Sequence, residues 1–284
     1  MKISIGTAQF GFNYGICNKN GIVSKREVKK IFDYSKFVKI NSIDTAQGYG
    51  KSHKVISSFK LKDFQITSKI SNIKKIHDQN LDYRITLEVN KILRDLNSKK
   101  LYALLIHDIS QLKSKNGKKF YRILEKLKVK KKFIKLGVSV YTRNELDFVI
   151  KNYNIDIVNL PISVANQEFL QKNYLSKIKN KNIEIHARSI FLQGLLLCEY
   201  KFLPKKFKNN KFFIEWFKWL KVHKYNPLDA SLEFIKGIKH IDKIVIGIDN
   251  FSQLESIVKS YKKNSKLKYK KFFQSSLLKN PSTW

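Results

Sequence analysis

Three side chains suited to acid–base work stand at the ends of separate apolar runs: Asp44, Lys69 and His107. A phenol, Tyr49, follows Asp44 by five positions. Other runs end in small, polar or cationic residues: Gly6 and Thr7, Ser139, Asn159, Arg188 with Ser189, and Gly247. Brought to one place, these groups could hold a polar ligand and move a proton. Taken singly, each has a plainer reading. Asp44 could cap a helix, Lys69 could be one of many surface lysines, and His107 could be a satisfied core histidine. Metal chemistry is not expected. No His, Cys, Asp and Glu set shows ligand spacing, and the pair His107–Asp108 alone is a poor metal motif.

The elements that must position these residues can be read from hydrophobic pattern. Strands are expected at Lys2 to Ile5, Lys39 to Ala46, Phe64 to Ile70, Leu101 to His107, Ile134 to Val140, Asp156 to Pro161, Ile183 to Ser189 and Lys243 to Ile248. Most are near-continuous apolar runs, as parallel strands covered on both faces require. Amphipathic, Lys-rich segments lie between them. Ser24 reads as an N-cap, followed by Val28, Ile31, Phe32 and Tyr34 at near-helical spacing. Leu146, Phe148, Val149 and Tyr153 repeat that spacing. Asn226 and Pro227 form an N-cap and first-turn pair, and Phe212 to Leu220 reads as an extra aromatic helix. Eight strands alternating with helices imply an α/β fold, a (β/α)8 TIM barrel, whose chemistry sits at the C-terminal strand ends. An open doubly wound sheet would usually carry a glycine-rich phosphate loop after the first strand. The turn Gly6 to Gly11, GTAQFG, is not GxGxxG.

The whole chain, 1–284, reads as one barrel domain, with 265–284 as a C-terminal tail near the active-site rim. Its 4 prolines and 11 glycines form no linker-like stretch. Two cysteines, Cys17 and Cys198, make no close-spaced motif and suggest a reducing compartment. Neither a secretory leader nor a membrane span is expected, and a cytoplasmic protein is. The net charge of +35 invites an anionic partner such as nucleic acid. Only six of the 57 basic residues are arginine, however, and the lysines spread along the chain. Asn, Ile, Phe and Tyr are abundant too, as a compositional bias would produce. Solvated helix faces are therefore preferred over a nucleic-acid footprint, and no specific nucleic-acid partner is expected.

With these residues in place, the sequence resembles the aldo-keto reductase family. The resemblance is carried, in family order, by GTAQFG (Gly6 to Gly11), DTAQGYG (Asp44 to Gly50), TSK (Thr67 to Lys69), LLIHD (Leu104 to Asp108), GVSVY (Gly137 to Tyr141), RSIFLQGLL (Arg188 to Leu196), VIGIDNFSQLE (Val245 to Glu255) and the closing NPSTW. It implies a catalytic tetrad of Asp44, Tyr49, Lys69 and His107. It also implies reduction of an aldehyde or ketone, including a sugar-like or hydroxylated carbonyl, by NAD(P)H. Hydride addition leaves an alkoxide, so a proton must arrive, and Tyr49 is the expected general acid. Lys69 is expected to lower the phenol pKa, Asp44 to pair with Lys69, and His107 to bind the carbonyl oxygen.

The same resemblance places cofactor contacts at Gly6, Thr7, Ser139, Asn159, Arg188, Ser189, Phe191, Gly194, Gly247, Asn250 and Gln253. Arg188 stands where an aromatic residue commonly stacks on nicotinamide. Its charge should disfavour the oxidised cofactor. The usual basic clamp for a 2′-phosphate is absent at Ile248 and Gln253. NADP(H) is still placed ahead of NAD(H) on family habit. Substrate contacts are expected from Phe10, Gln47 and Tyr141, with Asn13, Tyr14, Asn166 and the segment Phe272 to Trp284 also considered. The alternative is a catalytically weak, nucleotide-binding or regulatory relative. The intact tetrad argues against it.

Overall fold

The computed structural model describes residues 1–71, 73, 80–263, 267, 269–280 and 284. Eight parallel strands run β1 Ile3–Gly6, β2 Ser42–Asp44, β3 Gln65–Ile70, β4 Leu101–Ile106, β5 Phe133–Ser139, β6 Ile157–Pro161, β7 Glu184–Arg188 and β8 Lys243–Gly247. They pair in sequence order, and β1 pairs with β8, so the sheet closes into a barrel. Pairing across the closure runs from Ile3 with Ile244 to Gly6 with Gly247. The strand ends are in register as well: Gly6 lies beside Asp44, Asp44 beside Thr67, and Ser139 beside Asn159. The fold is the expected (β/α)8 barrel.

Local chemistry accounts for the elements. The strand interiors are buried because helices cover the outside while side chains fill the inside. At Gly137 a β-carbon would lie 1.9 Å from the Ile157 carbonyl oxygen, so the close approach of β5 to β6 requires glycine there. Ser24 caps the helix Lys25–Phe37 by accepting from the Glu27 N–H, and Val28, Ile31 and Phe32 face the core. Thr142 and Glu145 cap Arg143–Asn152 reciprocally, and Asn226 caps Pro227–Lys236. The expected β2 was too long. Lys39 takes a left-handed conformation (φ 60°), and the Ile40 N–H bonds back to Ser35 O, so the chain is still leaving its helix there.

The extra helix Lys211–His223 builds a second apolar cluster around Trp216, Phe212 and Phe207. The described part of the tail packs on this cluster. Phe272 meets Trp216 edge-on at 5.6 Å between ring centroids, and the Tyr269 hydroxyl donates to Ala230 O. Residues 265, 266, 268 and 281–283 of the expected tail lie outside the described residues. At the N-terminal end of the barrel, Glu184 accepts hydrogen bonds from the Tyr102 hydroxyl (2.6 Å) and Lys135 Nζ, and its other oxygen meets His186 Nε2 at 2.6 Å.

Candidate active site

Asp44, Lys69 and His107 project at the C-terminal ends of β2, β3 and β4, and the turn after β2 carries Tyr49 back over them. That turn is fixed at several points. The Tyr49 N–H donates to Ala46 O, Gln47 N–H to Lys69 O, and Lys51 N–H to Gly11 O. A β-carbon on Gly11 would lie 1.7 Å from Tyr49 O, so the β1 turn and the Tyr49 turn can meet only through glycine.

Lys69 is 1% exposed. Its ammonium donates to Asp44 Oδ1, to Thr45 O at 3.2 Å and toward the Tyr49 hydroxyl at 3.5 Å. The second Asp44 oxygen accepts from Asn159 Nδ2 at 3.0 Å. The His107 ring stands edge-on to the Tyr49 ring, with centroids 6.0 Å apart. The four groups therefore meet at one rim of the barrel.

Electrostatics differ from the expectation in one respect. Burial raises the Tyr49 pKa above the ordinary phenol value, and the nearby Asp44 charge raises it further, while Arg188 opposes both. The lowering expected from Lys69 does not offset these two effects, and the net shift is upward. Burial also lowers the Lys69 pKa against the pull of Asp44. Burial and the charges of Lys69 and Arg188 push His107 down to about 4, so its imidazole is neutral at neutral pH. The phenol is thus a protonated donor beside a buried cation and a neutral imidazole.

These groups open into a cavity of about 880 Å³ that extends to the first turns of the helix Phe251–Lys262. Of the residues singled out in the sequence, Gly6, Thr7, Ser139, Arg188, Ser189, Phe191, Gly194, Gly247, Asn250, Gln253 and Tyr141 line it. Three expected residues do not. Phe10 is fully buried and packs on Phe32, 6.1 Å between centroids, because its helical turn points inward to the core. Gln47 is turned aside to Glu88 and the Ser71 N–H. Asn159 spends its amide on Asp44 behind the wall. Asn13 and Asn166 also lie off the cavity, and Asn166 donates to Lys279 O in the tail. No described residue of 265–284 lines it.

Several lining residues were missed. Gln9 presses its amide where a Gly247 β-carbon would be, 2.4 Å away. Ser252 and Ser256 share a helix face, four residues apart, a spacing the sequence does display, and line the cavity with the N-cap Asn250. Cys17 and Cys198 meet at the cavity wall, where contact between the thiols lowers the pKa of Cys17 and raises that of Cys198. Only the folded loops join them: Cys17 N–H donates to Gln193 O and Cys198 N–H to the adjacent Gly194 O.

The cavity fits an elongated polar ligand. Gln9 Oε1 and Arg188 Nε are buried on its wall without a hydrogen-bond partner, and Asn159 Oδ1 is likewise unpartnered behind it. Two serines and an asparagine stand at the helix start. A dinucleotide supplies both the length and the complementary polar groups for such a trough. Among the described residues, no group of three or more His, Cys, Asp and Glu is placed to hold a metal, and no helix is long and apolar enough to cross a membrane.

Acid should weaken the fold through the buried histidines. His53, bonded to Ser68 Oγ at 3.1 Å, is also pushed by burial to about 4. A histidine whose folded pKa lies below its unfolded value binds fewer protons when folded. Stability is therefore full above about pH 6.5 and is lost as pH falls toward 4. His107 and His53 together should cost about 2–4 kcal/mol between pH 7 and 5. Glu184, depressed to about 2 mainly by its hydrogen bonds against the cost of burial, adds a second loss below about pH 4.5. Scanning calorimetry should show Tm falling by about 5–10 °C from pH 7 to 5 at constant ionic strength. A Tm flat across that interval would mean that neither imidazole is buried neutral.

Comparison with known proteins agrees with this architecture. A family model for the aldo/keto reductase family matches residues 2–272. No curated protein matches the sequence. An aldo-keto reductase of Bacillus halodurans, solved in its holo form, superposes with a TM-score of 0.73 at 15% identity, covering 94% of this chain and 88% of that one. A glycerol dehydrogenase of Gluconobacter oxydans gives 0.68 at 21% identity, with 94% and 88% covered. At such identities the likeness shows the fold alone.

Proposed function

Since the chain belongs to the aldo/keto reductase family, we propose that it is an NAD(P)H-dependent oxidoreductase that reduces an aldehyde or ketone, with Tyr49 as general acid. The observation that carries this reading is the Lys69 ammonium lying between Asp44 and the Tyr49 hydroxyl on the wall of a large cavity. Pure nucleotide binding gives no reason to bury such a set.

A nicotinamide dinucleotide, when bound, supplies the hydride. Gly6, Thr7, Ser139, Arg188, Ser189, Phe191, Gly194, Gly247, Asn250 and Gln253 would hold it. The protein's own work is to place the carbonyl oxygen between Tyr49 and His107 and to deliver a proton to it. An alkoxide is far more basic than a phenolate, so a phenol held protonated by burial still gives up its proton downhill. Lys69 then faces the phenolate at 3.5 Å and stabilises the new charge without reorganising. The neutral His107 can donate one N–H to the same oxygen.

Among the described lining residues, the Lys and Arg side chains are Lys19, Lys69 and Arg188, and none belongs to the helix that begins at Phe251. At that end the Phe251 N–H donates to the Glu27 carboxylate. The preference for NADP(H) over NAD(H) therefore rests on family habit, and the test is direct competition of NADH with NADPH. Arg188 supports the reductive direction, since its cation repels an oxidised nicotinamide. Titration calorimetry should find the reduced cofactor bound about threefold to tenfold more tightly than the oxidised one. Equal affinities would remove that role from Arg188. Oxidation of NAD(P)H with a panel of aldehydes tests the enzyme reading itself, and no turnover with any of them would favour the regulatory alternative.

A further inference from the structure

The carbonyl end of the cavity holds more positive charge than proton delivery uses. Two cations, Lys69 and Arg188, line it. Asp44 is the carboxylate there, and it is already bound by Lys69 and Asn159. The other lining carboxylates are engaged with neighbours on their own segments: Asp249 accepts from Gln253 Nε2 and Glu199 pairs with Lys201. His107, neutral, adds no charge.

Arg188 itself is held but not satisfied. Its Nη2 donates to Val140 O at 2.9 Å and its Nη1 to Ser189 Oγ at 3.3 Å. Its Cζ lies 4.2 Å from the centroid of the Tyr141 ring, which fixes the guanidinium plane. A guanidinium has five N–H donors, and Nε is buried here without a partner. A partly desolvated cation with spare donors calls for an anion. Arg188 lines the same cavity as Tyr49, His107 and Tyr14, which puts it in the same chamber as the proton donor. Tyr14, kept protonated by burial with its pKa raised to about 12, adds a hydroxyl donor to that chamber.

We propose that the substrate carbonyl carries an anionic group, a carboxylate or a phosphate, and that Arg188, assisted by Tyr14, binds this group while the carbonyl faces Tyr49. The proposal rests on the reductase reading above and narrows it from any carbonyl to oxo acids or phosphorylated carbonyls. Arg188 is then a specificity-determining residue as well as a neighbour of the cofactor.

The test compares matched pairs at constant ionic strength: 4-oxobutanoate with butanal, and glyceraldehyde 3-phosphate with glyceraldehyde. The anionic member of at least one pair should show a kcat/KM about tenfold or more above its neutral partner. Which pair shows the larger ratio distinguishes carboxylate from phosphate. Arg188→Gln should lower that ratio about tenfold. The ratio is the readout because Arg188 also faces the cofactor, so absolute rates will fall for both members. A ratio near one in the unaltered protein, or one unchanged by Arg188→Gln, would overturn the proposal. If no carbonyl in the panel is reduced, the reductase reading fails, and binding decides the anion site alone. Butanoate should then raise Tm more than butanamide in the presence of NADPH, and Arg188→Gln should abolish the difference. Equal shifts would overturn it.

Discussion

Tyr49→Phe should lower kcat for carbonyl reduction by about 10²–10⁴-fold while changing cofactor affinity less than twofold. The substitution removes one oxygen. It keeps the ring, which packs at 6.0 Å from His107 and 6.3 Å from Phe12, and it leaves every backbone bond of the turn in place. Folding should therefore be preserved, and the loss should fall on the chemical step. Stopped-flow single-turnover oxidation of NADPH measures that step apart from product release. Burial adds a pH signature. Because burial raises the phenol pKa and lowers that of Lys69, the alkaline limb of reduction by the unaltered protein should report loss of the Lys69 ammonium and not ionisation of the phenol. Unchanged single-turnover rates in Tyr49→Phe would remove the phenol from the reaction.

The barrel was legible in sequence because its strands are buried on both faces, so apolar runs mark them, although the run Lys39 to Ala46 overstated β2. Their ends were legible for the same reason, since an ionisable residue stops an apolar run where the chain reaches the rim. Asp44, Lys69 and His107 could thus be placed before any coordinates. What happens beyond the rim could not. Gln47 and Tyr49 lie two residues apart in one turn, yet hydrogen bonds turn Gln47 away to Glu88 while Tyr49 comes to Lys69. Asn159 sits at the expected strand position, but Asp44 lies close enough to take its amide. Phe10 shows that a residue within a site motif can belong wholly to the core. The meeting of Cys17 with Cys198 depends on two loops that touch only after the barrel closes. Directions of side chains in irregular turns are set by such tertiary contacts, which no local spacing encodes.

Lys69→Met should be the most costly single change at the site, because it strikes fold and chemistry together. The ammonium is 1% exposed and bound to an Asp44 that is itself 2% exposed. Met fills nearly the same volume, so packing changes little and the effect is electrostatic. Asp44 would be left as a buried carboxylate with Asn159 Nδ2 as its remaining side-chain donor. Breaking a buried pair from one side costs about 3–5 kcal/mol, which should lower Tm by about 10 °C. Asp44→Asn on that background removes the stranded charge. If the pair is ionic, the double variant should recover most of the lost Tm, giving a coupling energy of at least about 2 kcal/mol in a double-mutant cycle. Activity should not return, because the phenolate formed at Tyr49 would have lost its cation. That split separates the two roles of one side chain: stability follows charge balance between Lys69 and Asp44, whereas turnover follows the cation alone. A Lys69→Met protein with unaltered Tm would show that the ammonium and carboxylate are not buried as an ion pair. A double variant that regained turnover would show that proton delivery needs no cation beside the phenol.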